Sequence, residues 1–132
     1  PGFALPQIGA ASLDGPAQHA QVPVLLHFWG PSCPPCVAEI DLWQQLAERG
    51  RREGFAVLTV TGDEPAGVQA FVAARHLTLP VLLDATGRVH GAYGVRALPT
   101  TVAIDRHGHV TAVLEGARPP SQYLGLLAHS GN

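Results

Sequence analysis

The apolar positions change period several times along the chain, and each change marks an element. Val22 to Trp29 is almost continuously apolar, the pattern of a strand buried on both faces. Pro23 stands at its start, where a missing donor does least harm. From Val37 the spacing turns helical: Val37, Ile40, Trp43 and Ala47 form one stripe, widened by Leu42 and Leu46. That spacing predicts a helix from Pro34 or Pro35 to Arg52, ended by Gly50 and Gly54. Phe55 to Thr61 is a second buried strand. Asp63 or Glu64 before Pro65 signals a further helix start, with Val68, Phe71, Val72 and Leu77 as its apolar stripe.

Pro80 to Asp84 predicts a third short strand, and Thr86 to Gly94 a turn with one or two helical turns. Thr100 to Asp105 and His109 to Glu115, around Arg106-His107-Gly108, predict an antiparallel hairpin. Pro119-Pro120-Ser121 opens a last helix with Tyr123, Leu124, Leu127 and Ala128 facing inward. Before all this, residues 1–21 carry Phe3, Leu5, Ile8 and Leu13 among Gly and Pro, and predict short extended pieces wrapping the core. Asp14-Gly15 signals a turn, with Gln18 to Gln21 as a returning strand. The order β-α-β-α-β-(α)-β-β-α requires an α/β layer structure with a mixed sheet.

Length and charge narrow the classes. At 132 residues the chain makes one domain with a proper core. Net charge is −2, and all eight basic residues are Arg without a basic stripe, which argues against a nucleic-acid partner. No apolar run reaches the ~20 residues that span a bilayer. The chain begins at Pro1, which reads as a processed or trimmed piece of a secreted or anchored precursor.

The chemistry lies between the first strand and the first helix. Phe28-Trp29-Gly30-Pro31-Ser32-Cys33-Pro34-Pro35-Cys36 holds the only two cysteines. A C-x-x-C at a strand-to-helix junction reads as a thiol–disulfide redox site. A structural staple is the poorer reading, because so short a loop removes little unfolded-state entropy. A metal site would need further ligands, for which His27, His76 and His90 are the candidates. His27 itself reads either as a proton relay to Cys36 or as a core imidazole bonded to backbone.

With these residues in place the chain resembles the TlpA/ResA-like branch of extracytoplasmic thiol–disulfide oxidoreductases, which have a thioredoxin-like fold. The resemblance rests on Phe28-Trp29-x-x-x-Cys33-x-x-Cys36, on Glu39, and on Gly94-Val95-Arg96-Ala97-Leu98-Pro99-Thr100-Thr101. The opening Phe3-x-Leu5-Pro6 and a helix–strand insertion at about 65–84 also match. It implies a single domain over 1–132, with 1–21 as an N-terminal extension and 22–129 as the core. It implies Cys33 as nucleophile, Cys36 as resolving cysteine, Glu39 as an acid near the dithiol, and Pro99 as a cis-proline facing the disulfide. Trp29, Pro31, Pro34 and Leu98 would contact the partner protein. The redox-active Cys33–Cys36 disulfide would be the only cofactor, and the partners would be protein disulfides and a membrane dithiol donor. The implied setting is the periplasm or another extracytoplasmic space, with the chain a monomer. Two departures stand out: Ser32 replaces the usual aromatic residue before the first Cys, and His27 replaces an acid or amide.

Pro34 and Pro35 have no N–H, so a Cys33 thiolate finds its nearest helical backbone donor only at Cys36. This predicts a modestly lowered Cys33 pKa and a reductant nearer thioredoxin's roughly −270 mV than DsbA's roughly −120 mV. An oxidase or isomerase, and a copper-binding module, are the alternatives. A thiol peroxidase fits poorly, because Gly30 stands where a Thr-x-x-Cys pattern needs threonine.

Overall fold

The computed structural model describes residues 2–9, 13–19 and 21–130. Five strands form the main sheet: β3 (Val24–Phe28), β4 (Ala56–Thr61), β5 (Val81–Leu83), β6 (Thr100–Ile104) and β7 (Val110–Glu115). They are ordered β5-β4-β3-β6-β7. β3, β4 and β5 are parallel, and β6 and β7 add antiparallel, the mixed α/β sheet expected. A small antiparallel pair, β1 (Leu5–Pro6) with β2 (Leu13–Asp14), precedes it. That pair is tied to the β5 edge by the Gln7–Leu82 bridge.

Every residue of β3 is buried, and its alternation divides the core in two. Val24, Leu26 and Phe28 face one side, against Val89 of α4 (Arg88–Ala92). Leu25 and Trp29 face the other, with Cys36 of α1 (Pro34–Ala38), Ile40 and Trp43 of α2 (Ile40–Glu53), Val68 of α3 (Pro65–Ala74) and Tyr123 of α5 (Pro120–Ser130). A period-two strand with apolar residues on both faces must sit between two helical layers. This explains why the central strand reads as an unbroken apolar run.

Three expectations are corrected. The first helix is not continuous to Arg52: it breaks at Glu39 (φ −109°, ψ 8°) and restarts at Ile40. Periodicity misses this because Cys36, Ile40, Trp43 and Ala47 stay on one buried stripe across the break. Gly50 does not end the helix either; it lies inside α2, and Gly54 caps it in the left-handed conformation (φ 88°). A Cβ at Gly50 would collide with the backbone oxygen of Phe55, so the glycine serves close approach. The returning N-terminal strand is β2, and Pro16–His19 is a 3-10 turn instead of part of a strand.

Smaller differences follow the same logic. α3 ends at Ala74, so Leu77 is buried from the loop beyond it. On α5, Tyr123 and Leu126 are the buried positions; the side chain of Ala128, like that of Leu13, lies outside the described residues.

Candidate active site

Cys33 and Cys36 are disulfide-bonded, with Cα atoms 5.2 Å apart. The turn that presents them follows β3 directly, and the Cys33 N–H donates to the Gly30 carbonyl at 3.0 Å. Pro34 and Pro35 occupy the first positions of α1; a proline is tolerated there because first-turn N–H groups have no intrahelical acceptor. Cys33 remains part-exposed while Cys36 is wholly buried. The pair is therefore asymmetric, and only one sulfur can meet a partner protein without local opening.

The β6 register puts Thr100 opposite Phe28, so the loop before β6 stands at the same end of the sheet as the Cys33 turn. The Leu98–Pro99 peptide bond in that loop is cis. Leu98 is half-buried, Pro99 buried, Pro31 half-buried and Pro34 exposed. Trp29 departs from its expected place on the partner surface. It is 0% exposed, packed 5.7 Å from the Phe71 ring, because α3 covers the end of β3.

Behind the disulfide lies a buried polar cluster. Glu39 sits at the helix break and caps neither helix with its side chain. Its Oε1 instead accepts from the Trp43 indole N–H at 3.1 Å, and its Oε2 from the Tyr123 hydroxyl at 2.9 Å. The Tyr123 oxygen in turn accepts from the Arg118 N–H at 3.0 Å. His27 stacks on Trp43, with ring centres 3.8 Å apart. Its Nδ1 hydrogen-bonds Thr101 Oγ1 at 2.8 Å, as expected for residues directly opposed on antiparallel strands. Among the described residues its Nε2 makes no hydrogen bond; it lies 3.5 Å from Glu39 Oε1.

Electrostatics follow burial. Desolvation pushes the His27 pKa down to about 3, so the imidazole is neutral. Desolvation also raises the Glu39 carboxyl above its ordinary value, against the hydrogen bonds from Trp43 and Tyr123 that favour its charged form. Burial, then the hydrogen bond to Glu39, raises Tyr123 as well, so it acts as a donor.

The structure does not gather the other histidines at the dithiol. His76 is exposed after α3, and His90 Nδ1 pairs with Asp84 at 2.7 Å. Among the described residues no three His, Cys, Asp or Glu side chains are arranged to hold a metal ion. Tyr123 and Trp43 are cluster members that the sequence reading assigned only to the core. Neither carries a motif, and Tyr123 reaches Glu39 from 84 positions away.

Comparison with known proteins identifies the family and the fold. Residues 1–113 match the family model described as the AhpC/TSA family. The chain is 38% identical over 94 residues to the thiol-disulfide oxidoreductase ResA of Halalkalibacterium halodurans, which covers 70% of this chain and 53% of that protein. It thus spans about half the length of that curated relative. Among solved structures, a proposed thiol:disulfide interchange protein DsbE from Chlorobium tepidum is similar at TM-score 0.89 and 27% identity, covering 98% of this chain and 93% of that one. The exposed lipoprotein thioredoxin Etrx1 of Streptococcus pneumoniae shares the fold at TM-score 0.89 and 24% identity, covering 98% and 99%.

Proposed function

The chain belongs to the AhpC/TSA family, and from that premise we propose that it is an extracytoplasmic thiol–disulfide oxidoreductase reducing disulfides of partner proteins. One observation carries this reading: a bonded Cys33–Cys36 pair in which Cys33 reaches the surface and Cys36 does not. A peroxidase is disfavoured within the family because Gly30 stands three residues before Cys33.

In the reduced protein the Cys33 thiolate attacks one sulfur of a partner disulfide. A bond forms between Cys33 and that sulfur, and the partner's other sulfur leaves as thiolate. Glu39, at the break between α1 and α2 with its N–H donating to the Cys36 carbonyl at 3.2 Å, accepts the Cys36 proton. The Cys36 thiolate then attacks Cys33 Sγ, and the second partner sulfur leaves. Two electrons have passed to the partner, and the Cys33–Cys36 disulfide remains.

The hydrogen bonds from Trp43 and Tyr123 hold the Glu39 carboxylate in place through this step. With Nδ1–H donated to Thr101 Oγ1, neutral His27 presents Nε2 as a hydrogen-bond acceptor for the proton on Glu39. The cis Leu98–Pro99 loop, with Pro31 and Pro34, frames the surface that receives the partner backbone. The disulfide is the only redox group this cycle requires, and a membrane dithiol would regenerate the reduced form.

The resemblance favours disulfides at the haem- or copper-binding cysteines of immature proteins as substrates. The test is reduction of a protein disulfide such as insulin's by dithiothreitol, with and without catalytic amounts of the protein. The proposal expects acceleration by the wild type and none by Cys33→Ser. Equal rates with and without the wild type would overturn it.

A further inference from the structure

We propose that Asp63 is a positioning residue that clamps the turn bearing Cys33 and sets its thiolate chemistry; this rests on the oxidoreductase reading above. Asp63 lies on the loop between β4 and α3. Its Oδ2 accepts the Ser32 N–H at 2.9 Å, and its Oδ1 the Ser32 hydroxyl at 3.0 Å. Ser32 is the residue immediately before the nucleophile. The Asp63 N–H donates to Thr61 Oγ1 at 3.1 Å, which fixes the loop to the end of β4.

Gly30 belongs to the same arrangement. A Cβ there would stand 2.8 Å from Asp63 Oδ2, closer than a real Cβ contact, so glycine is what lets the carboxylate close on the turn. The Trp29 N–H donates to the Val60 carbonyl at 3.0 Å, giving the segment a second tether to β4. Ser32 and Gly30 thus act together: the serine supplies two donors, the glycine makes room, and Asp63 joins them.

Two chemical consequences follow. The Ser32 N–H is committed to a carboxylate and is withdrawn from the Cys33 sulfur, as the N–H groups missing from Pro34 and Pro35 already are. A carboxylate bonded one residue away also disfavours a second negative charge on that sulfur. Both effects stabilise the disulfide relative to the thiolate, and so make the protein more reducing.

The test uses Asp63→Asn, which keeps an acceptor for the Ser32 N–H and removes the charge. The Cys33 pKa is read from the pH dependence of its alkylation by iodoacetamide. The exchange constant is read by equilibrating protein disulfide plus dithiothreitol with protein dithiol plus oxidised dithiothreitol. Asp63→Asn is expected to lower the Cys33 pKa and shift the exchange about tenfold towards the dithiol, about 30 mV upward. If Asp63→Asn does not fold, Gly30→Ala displaces the same carboxylate and is expected to shift both readouts in the same direction. A folded variant with the wild-type pKa and exchange constant overturns the clamp, whereas a wild-type disulfide that does not exchange with dithiothreitol overturns the oxidoreductase reading instead.

Discussion

His27 Nε2 and Glu39 Oε1 face each other at 3.5 Å, the imidazole wholly buried and the carboxyl nearly so. Burial moves the two groups in opposite directions, His27 towards neutral base and Glu39 towards neutral acid. Burial thus disfavours charge on both groups and leaves Glu39 a carboxylate with raised proton affinity, suited to take up a proton beside the core layer that contains Cys36.

Glu39→Gln removes the proton acceptor while keeping an oxygen for Trp43 or Tyr123. General acid–base groups contribute about 10²–10⁴-fold, so decay of the mixed disulfide should slow by about 10²-fold, with initial attack by Cys33 little changed. Stopped-flow quenching of mixed-disulfide lifetime measures this. The raised carboxyl also means that the folded state binds its proton more tightly than the unfolded chain. Stability from this group is thus lost as pH rises from about 4.5 through the folded pKa, and the variant should lack that loss.

His27 has the opposite sign. Its folded pKa of about 3 lies below the ordinary 6.5, so below pH 6.5 the unfolded chain takes up a proton that the fold excludes. Stability is complete above 6.5 and falls on acidification, by about 2 kcal/mol between pH 6.5 and 5 at one pKa unit per 1.36 kcal/mol. Urea unfolding at pH 7 and pH 5 should show His27→Asn losing less than the wild type over this interval.

Asp84 is buried and accepts the N–H groups of Val89 and His90 and a bond to His90 Nδ1. Burial alone would raise its pKa, but the bonds from His90 outweigh that and lower it. Its contribution is present above the ordinary 3.8 and lost as pH falls through the folded value. Asp84→Asn should cost about 1–3 kcal/mol at pH 7 and flatten the stability curve below pH 3.8, both read by thermal melts.

Gly50→Ala separates propensity from packing. Alanine favours a helix interior by about 1 kcal/mol over glycine, yet here its Cβ meets the Phe55 backbone oxygen. Net destabilisation of about 1–3 kcal/mol is expected, measured by urea unfolding.

What could be read from the sequence was what depends on local pattern. The apolar run of β3, the C-x-x-C turn after it and the hairpin of β6 and β7 all follow from period and punctuation. The break at Glu39 left no trace, since the buried stripe runs through it. Asp63 and Glu64 illustrate the other limit: both read as helix starters before Pro65. Glu64 takes that part, accepting from the Ala66 and Gly67 N–H groups. Asp63 is thereby left to Ser32, a partner 31 positions away that no local pattern names. The Glu39–Tyr123 bond depends likewise on how α5 packs on the sheet.

In the proposed cycle Cys33 attacks and Cys36 resolves. Reduced Cys36→Ser and Cys33→Ser proteins, each mixed with a disulfide-bonded protein substrate and acid-quenched, test it by mass spectrometry. A mixed disulfide through Cys33 is expected to accumulate in Cys36→Ser, and none in Cys33→Ser. Accumulation through Cys36 in the Cys33→Ser protein, with none in its counterpart, would contradict it.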